Sequence, residues 1–506
     1  MRFLSGRLVF CIAGFALGHP LPSAETFTPQ IPRTWDPEAL RDLELPIAGL
    51  GKPPGHITPE YYYAQKVRPI YASYPVYHPD REPAGYFESL KTKEPVILWD
   101  DGTTTPKLET EADWIAAGEM VFDAPIEYRE MTAASLERHL AEFRTLPYRT
   151  TPQGVIPIHR YVIREKGKVE ISVRSCAECH TRVMDDGSVL KGAQGDFPFD
   201  KVVASRARAS TRAGAGSGTS RTYRAPWHNR AVNEQSGSIS AASVPGAHFD
   251  VIPPGVLARH GTSPFSPVQV PDLIGSADRR YLDHTGLQRN RGLGDLMRYA
   301  ALNQGADMLS DYSGYIPGAD STGVRPDPTT QTRYGDDQLY ALALYIKSLR
   351  PPPNPNSFND LARRGRAIFE DQDCARCHDP AQGYTNHKLA IAPGFVVPPD
   401  HPARADIMLN REVGTDPTLA TTTRRGTGLY KVPSLLGVWY RGFFEHNGSC
   451  ATLEDWFDPR RLEDSYVPTG WKGPAGTKIR AVKGHDFGLD LNDADRKALI
   501  AFLRTL

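Results

Sequence analysis

Apolar side chains recur at helical spacing in two pairs of segments along the chain. The first member of each pair contains the pattern Gly-x-x-x-Phe, at 118–122 and again at 365–369. In the earlier copy one helix face is apolar through Trp114, Ala117, Val121 and Phe122. This period predicts amphipathic helices that begin near Glu111 and near Leu361.

The second member of each pair is a segment with the pattern Ala-Leu-x-x-aromatic-aliphatic-basic-hydroxyl-Leu. It occurs within Asp337–Leu349 and within Asp493–Leu506, and each copy begins beside acidic residues that suit a helix N-terminus. Prolines from Pro351 to Pro353 end the first copy. An opening helix and a closing helix therefore occur twice, which predicts a duplicated, mainly α domain on either side of a Pro-rich linker at 351–357.

The rest of the chain shows weaker patterns. Residues 25–110 are rich in Pro and Tyr without a sustained period, so we expect an extended N-terminal arm that wraps the body, and long irregular loops elsewhere. Residues 166–175 (KGKVEISVRS) alternate as a β-strand does. The Gly, Ser and Arg content of 204–226 predicts a flexible, solvated surface loop, with a docking site for an acidic partner as the alternative.

Composition narrows the class of protein. The chain has 506 residues, 40% of them hydrophobic, and 59 basic residues balance 59 acidic ones. Such a chain can bury two or three domain cores, and its balanced charge gives no reason to expect nucleic acid or an acidic membrane as partner.

Arg2 and Arg7 precede an apolar run at 8–17 that is too short to span a bilayer. We therefore expect a signal peptide at 1–24, no membrane anchor, and a periplasmic or secreted protein.

Five cysteines remain after removal of the signal peptide, and four of them form two copies of Cys-x-x-Cys-His. The first copy is Cys176, Cys179 and His180, and the second is Cys374, Cys377 and His378. Cys450 is left alone, so we expect a buried, inert thiol there.

Two thiols at this spacing can form thioethers with the vinyl groups of haem, while the adjacent histidine binds the iron. A zinc site would need a second ligand set close by, and a thioredoxin-like motif would need a βαβ context. The sequence shows neither. It therefore predicts two covalently bound haem c groups, one in a first cytochrome c domain at 111–350 and one in a second at 358–506.

The function of each haem depends on the sixth iron ligand, because a filled position transfers electrons and an open one binds oxygen species. In the first domain no histidine follows His180 until His228, so we expect an open position, with His228, His248 and His284 as alternatives. For the second haem the candidates are His387, His401, Met408, His446 and His485. His485 lies just before the closing helix, where a loop could fold over the haem, although it could equally be a surface histidine.

The second domain resembles the bacterial dihaem cytochrome c peroxidase superfamily, which includes MauG-type enzymes and dihaem rubber oxygenases. The matching segments are GRAIFEDQDCARCH, KVPSLLGVWYRGFFEHNGS, TLEDWF and the closing AFLRTL. The resemblance extends over about Gly118–Leu506 and is patchy in the first domain. It implies two mostly helical cytochrome c domains, with a reactive haem in the first and an electron-transferring haem in the second.

Two departures from the peroxidase pattern place the chain nearest the rubber-oxygenase-like branch. Arg460 stands where peroxidases have a methionine ligand, and no histidine follows soon after the first motif. In that branch the first haem is open to oxygen and the second has two histidine ligands. By similarity, the distal pocket of the first haem would draw on 284–299.

Three residues are further candidates within this resemblance. Trp227 could relay electrons between the haems, or it could be a core tryptophan. Arg298 and Tyr299 could donate hydrogen bonds to bound peroxide, or they could pack on the helix surface.

The expected function is that of an exported, peroxidase-like dihaem oxidoreductase. It would reduce peroxide or activate dioxygen at the first haem, with electrons from a small redox protein or another donor passing through the second. The alternatives are a non-catalytic dihaem electron-transfer protein and a dioxygenase that cleaves an unsaturated hydrocarbon.

Overall fold

The computed structural model describes residues 26–212, 227, 246–258, 265–304, 309–317, 324–407, 411–474 and 476–506. The expected signal peptide and the part of the expected basic loop at 213–226 lie outside these ranges. In the described part of the chain, no helix combines the length and apolarity needed to cross a membrane.

The elements are numbered in chain order. The helices are α1 (Pro37–Leu40), α2 (Pro59–Tyr63), α3 (Tyr86–Lys91), α4 (Glu111–Asp123), α5 (Ala133–Thr145), α6 (Cys176–Cys179), α7 (Phe199–Arg212), α8 (Gly246–Asp250), α9 (Leu293–Gln304), α10 (Asp336–Ser348), α11 (Asp360–Asp371), α12 (Thr418–Thr422), α13 (Leu453–Trp456) and α14 (Asp493–Leu503). The strands are β1 (Gly55–His56), β2 (Lys66–Val67), β3 (Ile70–Tyr71), β4 (Ser73–Tyr77), β5 (Ile97–Trp99), β6 (Glu127–Glu130), β7 (Val155–Glu165), β8 (Lys168–Val173), β9 (Thr181–Val183), β10 (Val189–Lys191), β11 (Val256–Leu257), β12 (Val268–Gln269), β13 (Ser310–Asp311), β14 (Thr332–Arg333), β15 (Leu389–Ile391) and β16 (Leu429–Lys431).

The repeated sequence pattern corresponds to a repeated helix pair. Helix α4 packs against α10, and α11 packs in the same way against α14. A Cβ atom at Gly118 would lie 2.0 Å from the Ala341 carbonyl oxygen, and one at Gly365 would lie 1.9 Å from that of Ala498. Only glycine allows the two backbones to approach so closely. The predicted opening and closing helices are therefore confirmed, and the structure shows in addition that the two pairs cross through equivalent contacts.

Local signals explain where these helices begin. Thr110 and Asp113 form a capping box at the start of α4, and Asn359 and Asn492 cap α11 and α14. Such caps satisfy amide groups that the first turn of a helix leaves unpaired. The apolar face predicted for α4 is buried at each of its four positions.

The first half of the chain also contains a four-stranded antiparallel sheet, ordered β4-β7-β8-β6. The strand predicted at 166–175 is present as β8, which pairs with β7. The expectation of a mainly α protein is therefore correct only in part, because this sheet and several two-stranded ladders accompany the helices.

The N-terminal segment contributes to the core of the first half. Its strand β4 forms an edge of the four-stranded sheet, and β2 pairs with β14. Trp35 and Trp99 are fully buried, and the Trp99 indole donates a hydrogen bond to Asp337 at 3.2 Å. Large aromatic side chains of this kind supply much of the apolar area that holds an irregular segment in place.

The loop expected at 204–226 begins instead as the second half of a helix. Helix α7 extends to Arg212, and its Val202 and Ala204 are buried, the latter in an apolar cluster with Phe249 and Trp471. The prediction was wrong at 204–212 because Arg and Ala are good helix formers once an apolar face has a partner.

Candidate functional site

The first Cys-x-x-Cys-His motif forms a single helical turn. Ser175 caps α6 by accepting a hydrogen bond from the Glu178 amide at 3.0 Å. Directly after the helix, the Nδ1 atom of His180 lies 3.0 Å from the Pro271 carbonyl oxygen. A carbonyl accepts only, so Nδ1 carries the proton and Nε2 keeps the lone pair that a metal needs.

The second motif has the same arrangement. Cys374–Arg376 form a 3-10 turn, and the His378 amide donates to the Cys374 carbonyl at 2.9 Å. The Nδ1 atom of His378 lies 3.1 Å from the Tyr384 carbonyl oxygen, so Nδ1 again carries the proton and the lone pair stays on Nε2. Both predicted proximal histidines are thus held in the tautomer that binds iron.

A cavity of about 300 Å³ adjoins the second motif. Cys374, Cys377 and His378 line it. Apolar side chains of the crossed helices α11 and α14 form part of its wall, namely Phe369, Leu499 and Leu503. Cavities with apolar walls and a few convergent polar groups are typical of cofactor sites.

His485 lies across this cavity from His378. The two ring centroids are 6.3 Å apart, with the rings tilted by 56°. A metal lies about 2 Å from an imidazole nitrogen, so two rings on opposite sides of one ion have centroids about 6 Å apart. Burial lowers the pKa of His485 to about 3, with a further contribution from His378, so its imidazole is neutral. The geometry fits one metal ion between the two imidazoles.

The other candidates for the second site have different surroundings. His446 lines the same cavity, but its Nδ1 lies 2.8 Å from Glu445 and its Nε2 lies 3.3 Å from the Tyr430 hydroxyl. His401 is buried and its Nδ1 accepts a hydrogen bond from the Ala403 amide. His387 is a partly buried wall residue, and Met408 lies outside the described residues.

Basic side chains gather on the cavity wall. Among the described lining residues these are Arg279, Arg280, Arg411, Lys431 and Arg441, against the acidic Asp272, Asp373 and Glu445. Burial is the main cause that lowers the pKa of Lys431 to about 7, and the positive charge of Arg279 is the second cause. Arg411 and Arg441 pair with Asp373 and Asp272, and the excess of basic over acidic side chains on this wall suits an anionic ligand.

These features fit a c-type haem. The two thiols suit its vinyl groups, the facing imidazoles suit its iron, the apolar wall suits the ring, and the basic side chains suit its two propionates. In the ranges that the structure describes, no group of three or more His, Cys, Asp or Glu side chains is arranged to hold a bare metal ion.

The surroundings of the first motif are helical and apolar. Cys176 and Ala177 belong to an apolar cluster that also contains Leu296 and Met297 of α9. On the same helix, Arg298 is 5% exposed and donates from Nη2 to Asp295 at 2.7 Å. Its Nε and Nη1 atoms are buried and have no hydrogen-bond partner among the described residues. Unpaired buried donors are costly, so Arg298 fits a site that takes an anionic or polar ligand.

The other predicted residues of this region have packing roles in the structure. Tyr299 packs against the same apolar cluster, and the Arg425 guanidinium lies 5.9 Å from its ring centroid. Trp227 stacks on Tyr312 with ring centroids 5.6 Å apart. The position of Trp227 between two haems stays a prediction.

The structure describes two of the three alternative ligands predicted for the first haem, His248 and His284. The Nε2 atom of His284 lies 2.9 Å from the Gln269 carbonyl oxygen, and His284 lines the cavity beside the second motif. His248 contacts the ring of Phe265, and His228 lies outside the described residues. Cys450 is fully buried, as expected.

Sequence reasoning missed Arg461, which is fully buried beside residues 482–485, the His485 loop. Arginine is mostly exposed in proteins, so no local pattern indicates that Arg461 is buried. The carbonyl partner of His180 was also unpredictable, because Pro271 is distant from it in sequence.

No family model matches this chain, and no curated protein sequence matches it. Among solved structures, hydrazine synthase from Kuenenia stuttgartiensis is similar at 16% identity and a TM-score of 0.28, over 57% of this chain and 86% of that one. A MauG-like protein associated with microbial copper homeostasis is similar at 18% identity and a TM-score of 0.29, over 47% of this chain and 73% of that one. Structural similarity at this level does not identify an activity.

Proposed function

We propose that this chain is an exported dihaem c-type cytochrome oxidoreductase, with one site for electron transfer and one for reduction of peroxide or activation of dioxygen. The observation that carries the proposal is the pair of facing imidazoles, His378 and His485, across a cavity lined by Cys374 and Cys377. The repeated helix pair, with one Cys-x-x-Cys-His motif in each copy, extends the argument to the first half of the chain.

When bound, haem supplies an iron that can transfer single electrons and, where one axial position is open, bind oxygen species. At the second site the thiols of Cys374 and Cys377 would attach the group. His378 and His485 would both hold the iron, and an iron with two protein ligands of this kind would suit electron transfer.

At the first site, Cys176 and Cys179 would attach the group and His180 would be the proximal ligand. Arg298 has two buried donor atoms without hydrogen-bond partners among the described residues, on a helix whose Leu296 and Met297 share an apolar cluster with Ala177 of the motif. Asp295 holds the guanidinium by one nitrogen, which leaves the other two to hydrogen-bond a bound anion. Donors fixed in a dry site stabilise negative charge as it develops on a substrate oxygen.

The proposed location and partners follow from the sequence. Residues 1–24 have the composition of a signal peptide, and attachment of haem to cysteine pairs suits an exported protein. A small redox protein or another donor would supply the electrons.

Absorption and electron paramagnetic resonance spectra of the purified protein test this proposal. We expect two haems per chain, one low-spin iron with two histidine ligands and one high-spin iron that reacts with peroxide or dioxygen. Two low-spin irons that form no adduct would contradict the proposal and favour the non-catalytic electron carrier. Products from an unsaturated hydrocarbon, without turnover of peroxide, would favour the dioxygenase.

Replacement of the proposed ligand sharpens the test. His485→Ala should convert the low-spin iron to a high-spin form that binds added imidazole. His387→Ala is the matched control, because His387 lines the same cavity but is not the residue that faces His378. An unchanged spectrum in His485→Ala would remove His485 as a ligand.

A further inference from the structure

The buried side chain of Arg461 donates several hydrogen bonds to the His485 loop. The Nε atom of Arg461 donates to the Trp456 carbonyl at 2.8 Å. Its Nη1 donates to the carbonyls of Val482 and Gly484 at 2.6 and 2.9 Å, and its Nη2 donates to that of His485 at 2.7 Å. Four hydrogen bonds from one guanidinium thus end on backbone oxygens, three of them in the His485 loop. Arg461 itself is 0% exposed.

The loop adopts a backbone conformation that needs such support. His485 has φ of 45°, in the left-handed region that residues other than glycine rarely occupy, and Gly484 beside it has φ of 80°. The His485 amide donates to the Val413 carbonyl at 2.6 Å, so the loop is held from a second side as well. A strained conformation persists only where the surrounding contacts fix it.

His485 differs from the two proximal histidines in how its ring is oriented. His180 and His378 each have Nδ1 within hydrogen-bond distance of a backbone carbonyl. The Nδ1 atom of His485 is buried and has no such partner in the described part of the chain. Its ring is instead flanked by the rings of Trp456 and Phe487, each with its centroid 5.1 Å away. The direction of this imidazole is therefore set by its backbone and by ring packing.

Arg461 acts on both of these determinants. Its hydrogen bonds fix the backbone of the loop, and its guanidinium lies 4.9 Å from the centroid of the Trp456 ring that flanks His485. We infer that Arg461 is a positioning residue, which holds the His485 imidazole toward His378 so that the second iron has two histidine ligands. This inference rests on the proposed function of the second site.

Carbon monoxide binding to the fully reduced protein provides the test, because it counts irons with an exchangeable axial position. We expect the wild-type chain to bind one carbon monoxide, at the first haem. Arg461→Met keeps most of the side-chain volume but removes all its N–H donors. It should bind two, and its oxidised second haem should lose the low-spin signal.

Two further variants control for charge and position. Arg461→Lys keeps the charge and up to three donors without the planar fork, so it should restore part of the low-spin signal. Arg460→Leu is the neighbouring control, since the Arg460 side chain is 74% exposed and pairs with Asp458, and leucine brings no sulfur ligand to this position. It should bind one carbon monoxide and keep the wild-type spectrum.

The outcomes separate this inference from the proposed function. If His485→Ala still binds one carbon monoxide, the ligation itself is wrong. If His485→Ala binds two while Arg461→Met folds and binds one, only the role of Arg461 is wrong. Failure of both Arg461→Met and Arg461→Lys to fold would also overturn the inference, because Arg461 would then serve the whole domain rather than the ligand.

Discussion

Substitution of Gly365 by alanine tests the crossing of α11 and α14 on which the second site is built. The new Cβ would lie 1.9 Å from the Ala498 carbonyl oxygen and 2.8 Å from the Cβ of Phe502. Ordinary contacts between carbon and oxygen are about 3.4 Å, so the helices must separate by about 1.5 Å. The obstructing atom belongs to the backbone, so no side-chain rotation can relieve the contact.

The size of the effect follows from two opposing terms. Overpacking of a core costs about 1–3 kcal/mol, while alanine in a helix returns up to about 1 kcal/mol relative to glycine. Because a backbone atom must move, we expect a net loss of about 2 kcal/mol in the free energy of unfolding. For a domain of this size that corresponds to a fall in Tm of about 4–8 °C.

Thermal unfolding followed by circular dichroism measures the change. Gly118→Ala should behave alike, since its Cβ would lie 2.0 Å from the Ala341 carbonyl oxygen. Gly292→Ala is the matched control, because a Cβ there meets no atom within 4 Å. A Gly365→Ala protein as stable as the wild type would refute the close approach of the two helices.

Two further predictions concern buried charged groups. Burial raises the pKa of Asp200 to about 7. The unfolded carboxyl loses its proton near pH 4 and the folded one near pH 7, so this group favours the folded state at low pH and the benefit is lost as the pH rises between these values. The Tm of Asp200→Asn relative to wild type should therefore rise from pH 4 to pH 7, and a constant difference would contradict the assignment. Arg298→Met should slow peroxide reduction by about 100-fold, without changing the low-spin signal of the second haem. Arg291→Met, which removes the other arginine on Asp295, should have a much smaller effect, and equal losses in both variants would refute a specific role for Arg298.

The helix pairs and the two motifs could be predicted from sequence because each rests on local spacing. The period of α4 and the match between Gly118 and Gly365 follow directly from the order of residues, and the structure places both glycines at equivalent helix crossings. His485 was one of several candidates, and only the fold of its loop shows that it faces His378.

The parts that could not be predicted depend on contacts between distant segments. Strand β4 joins the sheet because the N-terminal segment packs beside β7, and no pattern within 25–110 indicates that partner. Helix α7 extends through a stretch whose composition is typical of a loop, because Val202 and Ala204 find apolar neighbours. The burial of Arg461 depends on carbonyl groups that a loop more than 20 residues away brings to it.

Covalent haem content is the most direct test of the account. Mass spectrometry of the denatured, exported protein should show the polypeptide plus two haem groups, and a pyridine haemochrome assay should give two haems per chain. Replacing Cys374 and Cys377 together by alanine should remove one haem and leave the other. A mature chain that carries no covalently attached haem would contradict the central claim.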